Sequence, residues 1–89
     1  MNIPTPGRIV LYTLSASDAS AIYQQRVGGA PVVGNAVSPG DVFPMMITRV
    51  WAGSPSVQGQ VFLDGNDTLW VTSVPEGTGE RTFAWPEHA

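Results

Sequence analysis

Proline and glycine occur so often along this chain that no element of secondary structure can be long. Ten Gly and eight Pro are distributed among 89 residues, and both residue types tend to interrupt helices and strands. The segments between them are rich in Val, Ile, Thr and aromatic residues, which favour β-strands. This pattern is typical of a small all-β domain in which turns join short strands.

Five segments are predicted to form strands: residues 7–14, 41–51, 56–65, 68–74 and 80–85. Short strands joined mostly by tight turns are typical of a small rolled sheet or a partly open barrel. We therefore expect an all-β fold, a five-stranded SH3-like barrel or rolled sheet, with an oligonucleotide-binding-type barrel as the alternative. Residues 1–89 form a single domain in this interpretation, because a chain of this length builds only one small core.

One segment, SASDASAIYQQRV at residues 15–27, has the apolar spacing of a short helix. Ser15 or Ser17 can cap its first turn, and the two glycines that follow it can end it. Residues 28–41 are predicted to form a loop. Residues 15–42 are thus a helix and loop inserted between the first two strands, and a connection this long in a small domain is often functional or mobile.

The charge of the chain restricts its partners. Charged residues make up only 12% of the sequence, with four Arg, no Lys and seven carboxylates for a net charge of −3. Duplex DNA or RNA is held by clusters of basic residues that neutralise phosphates, so a duplex nucleic acid is not an expected partner. One small anion bound by one or two Arg is compatible with this composition. The low charge and small size also favour a homo-oligomer, a dimer or larger.

The absence of cysteine excludes disulfides and thiolate metal sites, and small secreted domains usually need disulfides. No apolar run approaches 18 residues, and MNIPTPGR lacks the charged and apolar regions of a signal peptide. We therefore expect a soluble intracellular protein with no membrane partner.

Alternation of side chains along the second strand places five residues on one face. They are Phe43, Met45, Ile47, Arg49 and Trp51. The end of this strand therefore offers an aromatic ring and a guanidinium group together.

The last two strands offer similar groups. Trp70 and Thr72 share a face of the fourth strand, and Arg81, Phe83 and Trp85 share a face of the fifth. If these faces meet the second strand, they form a candidate site of Arg49, Trp51, Trp70, Thr72, Arg81 and Trp85. Such a set suits a nucleobase and a phosphate, because indoles stack on bases and Arg pairs with phosphate oxygens. The alternative is structural: a Trp at a strand end is more often part of the core, and either Arg can form a surface ion pair.

Signals for catalysis are weak. His88 is the only imidazole and lies next to the last residue, where chains usually fray, which argues against a catalytic triad or a His-rich metal site. The DGND segment at 64–67 resembles a calcium loop but lacks the terminal Glu, so we interpret it as a turn. We expect no enzymatic activity, no catalytic residues, no metal site and no cofactor.

The motifs GRIVLY, ITRVW, QVFLDG and LWVTSVPEG, followed by WPEHA, resemble a group of short phage-encoded proteins. The recurring frame of that group is a GRIV start, a central strand ending in Val-Trp, and a closing W-x-[TS]-S-V … W-x-W-P-E. The resemblance covers residues 7–14 and 43–89, and the closing motif is its specific part. Phe83 stands where the first Trp of W-x-W-P-E is usual.

The anti-CBASS sponges are identified as members of this group. These proteins sequester the cyclic nucleotide signals of bacterial antiviral systems. The resemblance implies stoichiometric capture of a cyclic di- or oligonucleotide without hydrolysis, in the cytoplasm of the infected bacterial host. It places the ligand contacts in the two parts of the closing motif: Trp70, Thr72 and Ser73 in the first, and Trp85 and Pro86 in the second. The alternative function is a structural or protein-interaction module, such as an SH3-like adaptor or a virion component.

Overall fold

The computed structural model describes residues 3–29 and 33–87. Its elements in chain order are β1 (Ile9–Thr13), α1 (Ala16–Gly28), β2 (Val42–Val50), β3 (Val57–Phe62), β4 (Thr68–Val74) and β5 (Phe83–Ala84). Part of the predicted 28–41 loop, residues 30–32, lies outside the described residues, and so does His88. Within the described residues, no helix is long and apolar enough to cross a membrane.

The five strands form one antiparallel sheet in the order β4-β3-β2-β1-β5. The sheet curls until its two ends meet, because the segment after β4 bonds to β5. The amide of Phe83 donates to the carbonyl of Pro75 at 3.0 Å, and the amide of Gly77 donates to the carbonyl of Phe83 at 2.9 Å. The predicted all-β rolled sheet with one short helix is thus confirmed.

The core lies inside the roll. Buried side chains come from every strand and from the helix: Val10, Tyr12, Leu14, Ile22, Met45, Ile47, Val57, Val61, Leu63, Val71, Val74 and Phe83. Except at two bulges, in β2 and β4, alternate residues of the strands therefore face inward, and the residues between them form an outer face that points to solvent. Burial alternates in this way along β3, where Val57 and Val61 are buried and Gln60, on the other face, is half-buried.

Pro44 lies in the middle of the sheet order, on β2, although proline cannot donate to a ladder. It pairs with Leu11 of β1, whereas the pairing of β2 with β3 begins one residue later, at Met45. Pro44 thus sits where β2 has a neighbour on one side only, as expected for an edge position.

The helix begins with a complete capping box. The Ser15 hydroxyl accepts a hydrogen bond from the amide of Asp18 at 3.1 Å, and the Asp18 carboxylate accepts one from the amide of Ser15 at 3.0 Å. These bonds satisfy amides that an uncapped helix leaves unpaired. Ile22, one turn later, is buried in the core, so the helix covers part of the roll with a single apolar residue.

The last strand is shorter than predicted. Residues 80–82 do not belong to β5, because Arg81 adopts a left-handed backbone conformation with φ 63°. The Arg81 amide still donates to the carbonyl of Thr13 at 2.8 Å. The chain therefore turns beside β1 before it enters the two-residue strand Phe83–Ala84.

Candidate functional site

A β-bulge in β2 decides where the predicted arginine and tryptophan point. Ile47 pairs with Gly59, but Arg49 pairs with the next residue, Gln58, so Thr48 is an extra residue in the ladder. An extra residue reverses the alternation beyond it. The prediction that Arg49 and Trp51 share the face of Met45 and Ile47 is therefore wrong.

The reversal brings Arg49 and Trp51 to the outer face together. Val50, between them, pairs with buried Val57 and packs against the core. The Arg49 guanidinium carbon lies 4.7 Å from the centroid of the Trp51 ring, a distance at which a cation is attracted to the ring face. Trp51 is 49% exposed, so the stacked pair is accessible to a ligand.

A second exposed indole lies on the same outer face, two strands away. Trp70 of β4 is 58% exposed and pairs with Gln60 of β3, which in turn pairs with Met46 of β2. Strand spacing and rise place Arg49 and Trp70 on the order of 12 Å apart along the sheet.

Polar side chains lie between these two indoles. Gln58 is the cross-strand neighbour of Arg49, and Gln60 is that of Trp70. Each amide side chain offers two donors and one acceptor oxygen. Thr72 lies two residues after Trp70 and is half-buried. We call Arg49, Trp51, Gln58, Gln60 and Trp70 the outer polar site.

The two glutamines were not among the predicted site residues. The alternation of β3 does place Gln58 and Gln60 on one face, which is the signal that finds them. Their neighbours could not be deduced, because Arg49 faces Gln58 only through the bulge in β2.

Arg81 does not join the outer polar site. Its Nη2 donates to the backbone carbonyl of Thr72 at 3.0 Å, and its Nη1 lies 3.9 Å from Oδ1 of Asp18. Arg81 therefore links the end of β4 to the start of α1. The carboxylate that this side chain approaches belongs to Asp18, which is buried.

Asp18 is the one buried charged residue of the described chain. It caps the helix and also accepts a hydrogen bond of 2.5 Å from the Tyr12 hydroxyl. Burial of the phenol raises the pKa of Tyr12 above its ordinary value, and the hydrogen bond and negative charge of Asp18 raise it further. This cluster is satisfied within the protein, and we interpret it as structural.

Trp85 lies on the inner side of the roll. It is half-buried, packs against the core and meets Phe83 edge to face, with ring centroids 6.0 Å apart. The Arg8 guanidinium covers the ring at 4.8 Å. The indole Nε1 is buried without an acceptor among the described residues. These contacts favour the core interpretation for Trp85 over a role as an open stacking platform.

Ser73 and Pro86 complete the predicted residues. Ser73 adopts φ 54° at a second bulge, where the pairing of β4 with β3 shifts between Val57 and Gly59. Ser73 and Pro86 are both exposed. Neither contacts the outer polar site through a side-chain hydrogen bond within the described residues. The structure thus brings together Arg49 and Trp51, places Trp70 on their face, and separates Arg81 and Trp85 from them.

A cavity of about 260 Å³ lies between α1 and residues 34–37, which belong to the predicted 28–41 loop. It is lined by Ala19, Ile22, Tyr23, Arg26, Gly34, Ala36 and Val37. Its one charged group is already occupied: Arg26 Nε and Nη2 donate to the Asp67 carboxylate at 3.0 and 3.1 Å, and Nη1 donates to the carbonyl of Asn35 at 2.8 Å. Hydrogen bonding from Arg26 lowers the pKa of Asp67.

The described residues contain no group of three or more His, Cys, Asp or Glu side chains arranged to hold a metal ion. Asp64 and Asp67, from the segment that resembles a calcium loop, instead accept hydrogen bonds from Asn35 and Arg26. The interpretation of this segment as a turn is consistent with these contacts.

Comparison of the chain with protein-family models, with curated proteins and with solved structures finds no match. Inference about function therefore depends on the outer polar site itself.

Proposed function

We propose that the protein captures a cyclic nucleotide on the outer polar site and holds it without hydrolysis. The observation that carries this proposal is the exposed stack of Arg49 on Trp51, at 4.7 Å, on the face that also carries Trp70. A cyclic nucleotide combines the two chemistries that such a face recognises, flat bases and phosphate anions. Its capture would serve a phage in the infected bacterial cell, as an anti-CBASS sponge does.

Each group has a role in this complex. Trp51 and Trp70 stack on bases, an interaction worth about 1–3 kcal/mol per base. Arg49 turns its guanidinium edge to a phosphate and forms charge-assisted hydrogen bonds. Gln58 and Gln60 donate to and accept from base edges or ribose hydroxyls. The separation of Arg49 and Trp70, on the order of 12 Å by strand spacing, suits a ligand with more than one nucleotide.

The proposed ligand-binding residues differ from those expected from the sequence, because Arg81 and Trp85 are no longer among them. Arg81 and Trp85 are engaged with Asp18, Thr72, Phe83 and Arg8. We therefore assign them to the support of the roll, and the binding groups to β2, β3 and β4.

The test is a titration of the protein with a panel of cyclic di- and trinucleotides, followed by Trp fluorescence and melting temperature. A ligand present at a hundredfold excess over its Kd stabilises the fold by about 2.7 kcal/mol. Recovery of the ligand unchanged after incubation distinguishes capture from hydrolysis. A panel that changes neither fluorescence nor melting temperature would refute the proposal.

Two arginine variants form a matched pair for site assignment. Arg49→Gln should weaken binding by about 1.5–3 kcal/mol, at least tenfold in Kd, because one charge-assisted contact is lost. Arg8→Gln should leave binding unchanged, although Arg8 also covers an indole, that of Trp85, at 4.8 Å. Equal losses in both variants would place the site elsewhere.

A second function, a protein-interaction module, is favoured by a separate observation. The outer face carries several exposed apolar side chains beside the outer polar site, among them Ile9, Met46 and Phe62. Exposed apolar surface of this kind often marks a protein contact. This alternative would be supported if the protein binds no nucleotide in the panel but binds a protein partner through these residues.

A further inference from the structure

The outer face contains an apolar region that the described part of the chain leaves uncovered. We define the apolar face as Ile9, Leu11, Val42, Pro44, Met46 and Phe62. Ladder pairing joins Ile9 to Met46 and Leu11 to Pro44 across β1 and β2. Between 37% and 53% of the surface of Ile9, Val42, Met46 and Phe62 remains exposed. These residues form a continuous region rather than scattered single side chains.

The apolar face is free of charge. The other outward residues of the same strand segments are uncharged too: Thr13, Thr48, Gln60 and Thr68. The first outward charge on β2 is Arg49, beyond the bulge. A strongly acidic or basic partner would find no complementary group here. A second neutral, apolar surface fits this face best, and each copy of the chain provides one.

The exposed area of the apolar face approaches what a dimer needs. The exposed parts of these six side chains amount to on the order of 400 Å² per copy, within the range of the largest apolar patch on a monomer. Two copies face to face, with the outward threonines between their apolar residues, approach the roughly 1,000 Å² expected of a specific interface. The five strands contain no Asp or Glu, and salt screens repulsion from the net charge of −3 per copy over about 8 Å.

We propose that two copies of this chain associate through their apolar faces to form a two-fold symmetric dimer. In such an interface the same patch is used on both copies. The two outer faces would pack as stacked sheets do, about 10 Å apart, with Met46 and Phe62 of one copy between the side chains of the other. This dimer does not require nucleotide binding, because the apolar face includes none of the five residues of the outer polar site.

The mass of the protein in solution tests the proposal. Sedimentation or light scattering over a range of concentrations should give twice the chain mass of 9.4 kDa. Val42→Glu should reduce the mass to that of a single chain, because it places a carboxylate with no partner in the apolar contact. Val27→Glu is the matched control, because Val27 is exposed to a similar extent, 62% on α1 against 53% for Val42 on β2. The Val27→Glu variant should remain a dimer.

A second measurement covers the case in which Val42→Glu fails to fold. The chain has no cysteine, so Met46→Cys introduces a single thiol on the apolar face and Val27→Cys a single thiol outside it. A short bis-maleimide should cross-link the first variant into a dimer and leave the second monomeric.

A wild-type mass of 9.4 kDa at every concentration, or a dimer that Val42→Glu leaves intact, would overturn the proposal. Cross-linking of Val27→Cys in preference to Met46→Cys would do the same. A monomer that retains cyclic nucleotide binding would refute the dimer alone and leave the proposed function standing.

Discussion

Substitution of Gly59 by alanine tests how closely β2 and β3 approach inside the roll. A Cβ at this position would lie 2.6 Å from the carbonyl oxygen of Met46, and 2.7 and 2.9 Å from Cγ and Sδ of Met45. The contact with the oxygen is 0.8 Å shorter than the 3.4 Å at which ordinary van der Waals contact begins. The Met45 side chain can rotate away, but the Met46 carbonyl belongs to the backbone of the neighbouring strand.

The added methyl group therefore separates two paired strands. Relief of a 0.8 Å overlap lengthens ladder bonds between strands that are normally about 4.8 Å apart. Insertion of a methyl group into a packed core costs about 1–3 kcal/mol. In a domain of this size each kcal/mol lowers the melting temperature by about 4–8 °C.

Urea denaturation followed by Trp fluorescence measures this change, and Gly28→Ala is the matched control. A Cβ on Gly28, the last residue of α1, meets nothing within 4 Å, so alanine there should raise the free energy of unfolding by up to about 1 kcal/mol. If Gly59→Ala is as stable as the wild type while Gly28→Ala behaves as stated, the close approach of β2 and β3 is refuted.

Three further predictions concern the contacts around the helix and the second bulge. The pKa of Tyr12 is raised in the folded protein, so its contribution to stability is complete below the unfolded pKa, about 10, and is lost as the pH rises above that value. The free energy of unfolding, measured by circular dichroism at alkaline pH, should therefore fall less steeply with pH in Tyr12→Phe than in the wild type. The lowered pKa of Asp67 contributes stability above its unfolded value, about 4, that disappears as the pH falls. Arg26→Gln should thus cost about 1.5–3 kcal/mol at pH 7 and less at pH 2, and an equal cost at both pH values would contradict the ion pair. Ser73→Gly should leave stability unchanged or raise it by up to about 1 kcal/mol in thermal melts, because glycine relieves the strain of φ 54°; a clear loss would show that the serine side chain is needed.

Local features of the sequence predict most of the fold. Ser15, one of the two serines expected to cap the helix, does so, and burial alternates along β3 as the positions of Val57 and Val61 indicate. These successes share a cause, since capping and alternation depend on residues only a few positions apart. The short β5 was missed because the left-handed turn at Arg81 is held by a hydrogen bond to Thr13, far away in the sequence.

The candidate site was harder to predict than the fold. Arg49 and Trp51 lie together, as their spacing indicates, but on the opposite face from the one expected. A single unpaired residue, Thr48, reverses the alternation, and a threonine at this position does not predict a bulge. Trp70 and Trp85 look alike in the sequence, yet one is exposed on the outer face and the other packs against Phe83.

The sequence by itself determined a small all-β domain with one capped helix, because turn residues, capping residues and β-branched residues act on their immediate neighbours. It also determined the low charge, with a net charge of −3. Only the tertiary structure decided which aromatic rings face solvent and which arginines are free to meet a ligand. Those outcomes depend on strand register and on contacts between distant residues, and one bulge in β2 was enough to move Arg49 and Trp51 from the core side of the sheet to its surface.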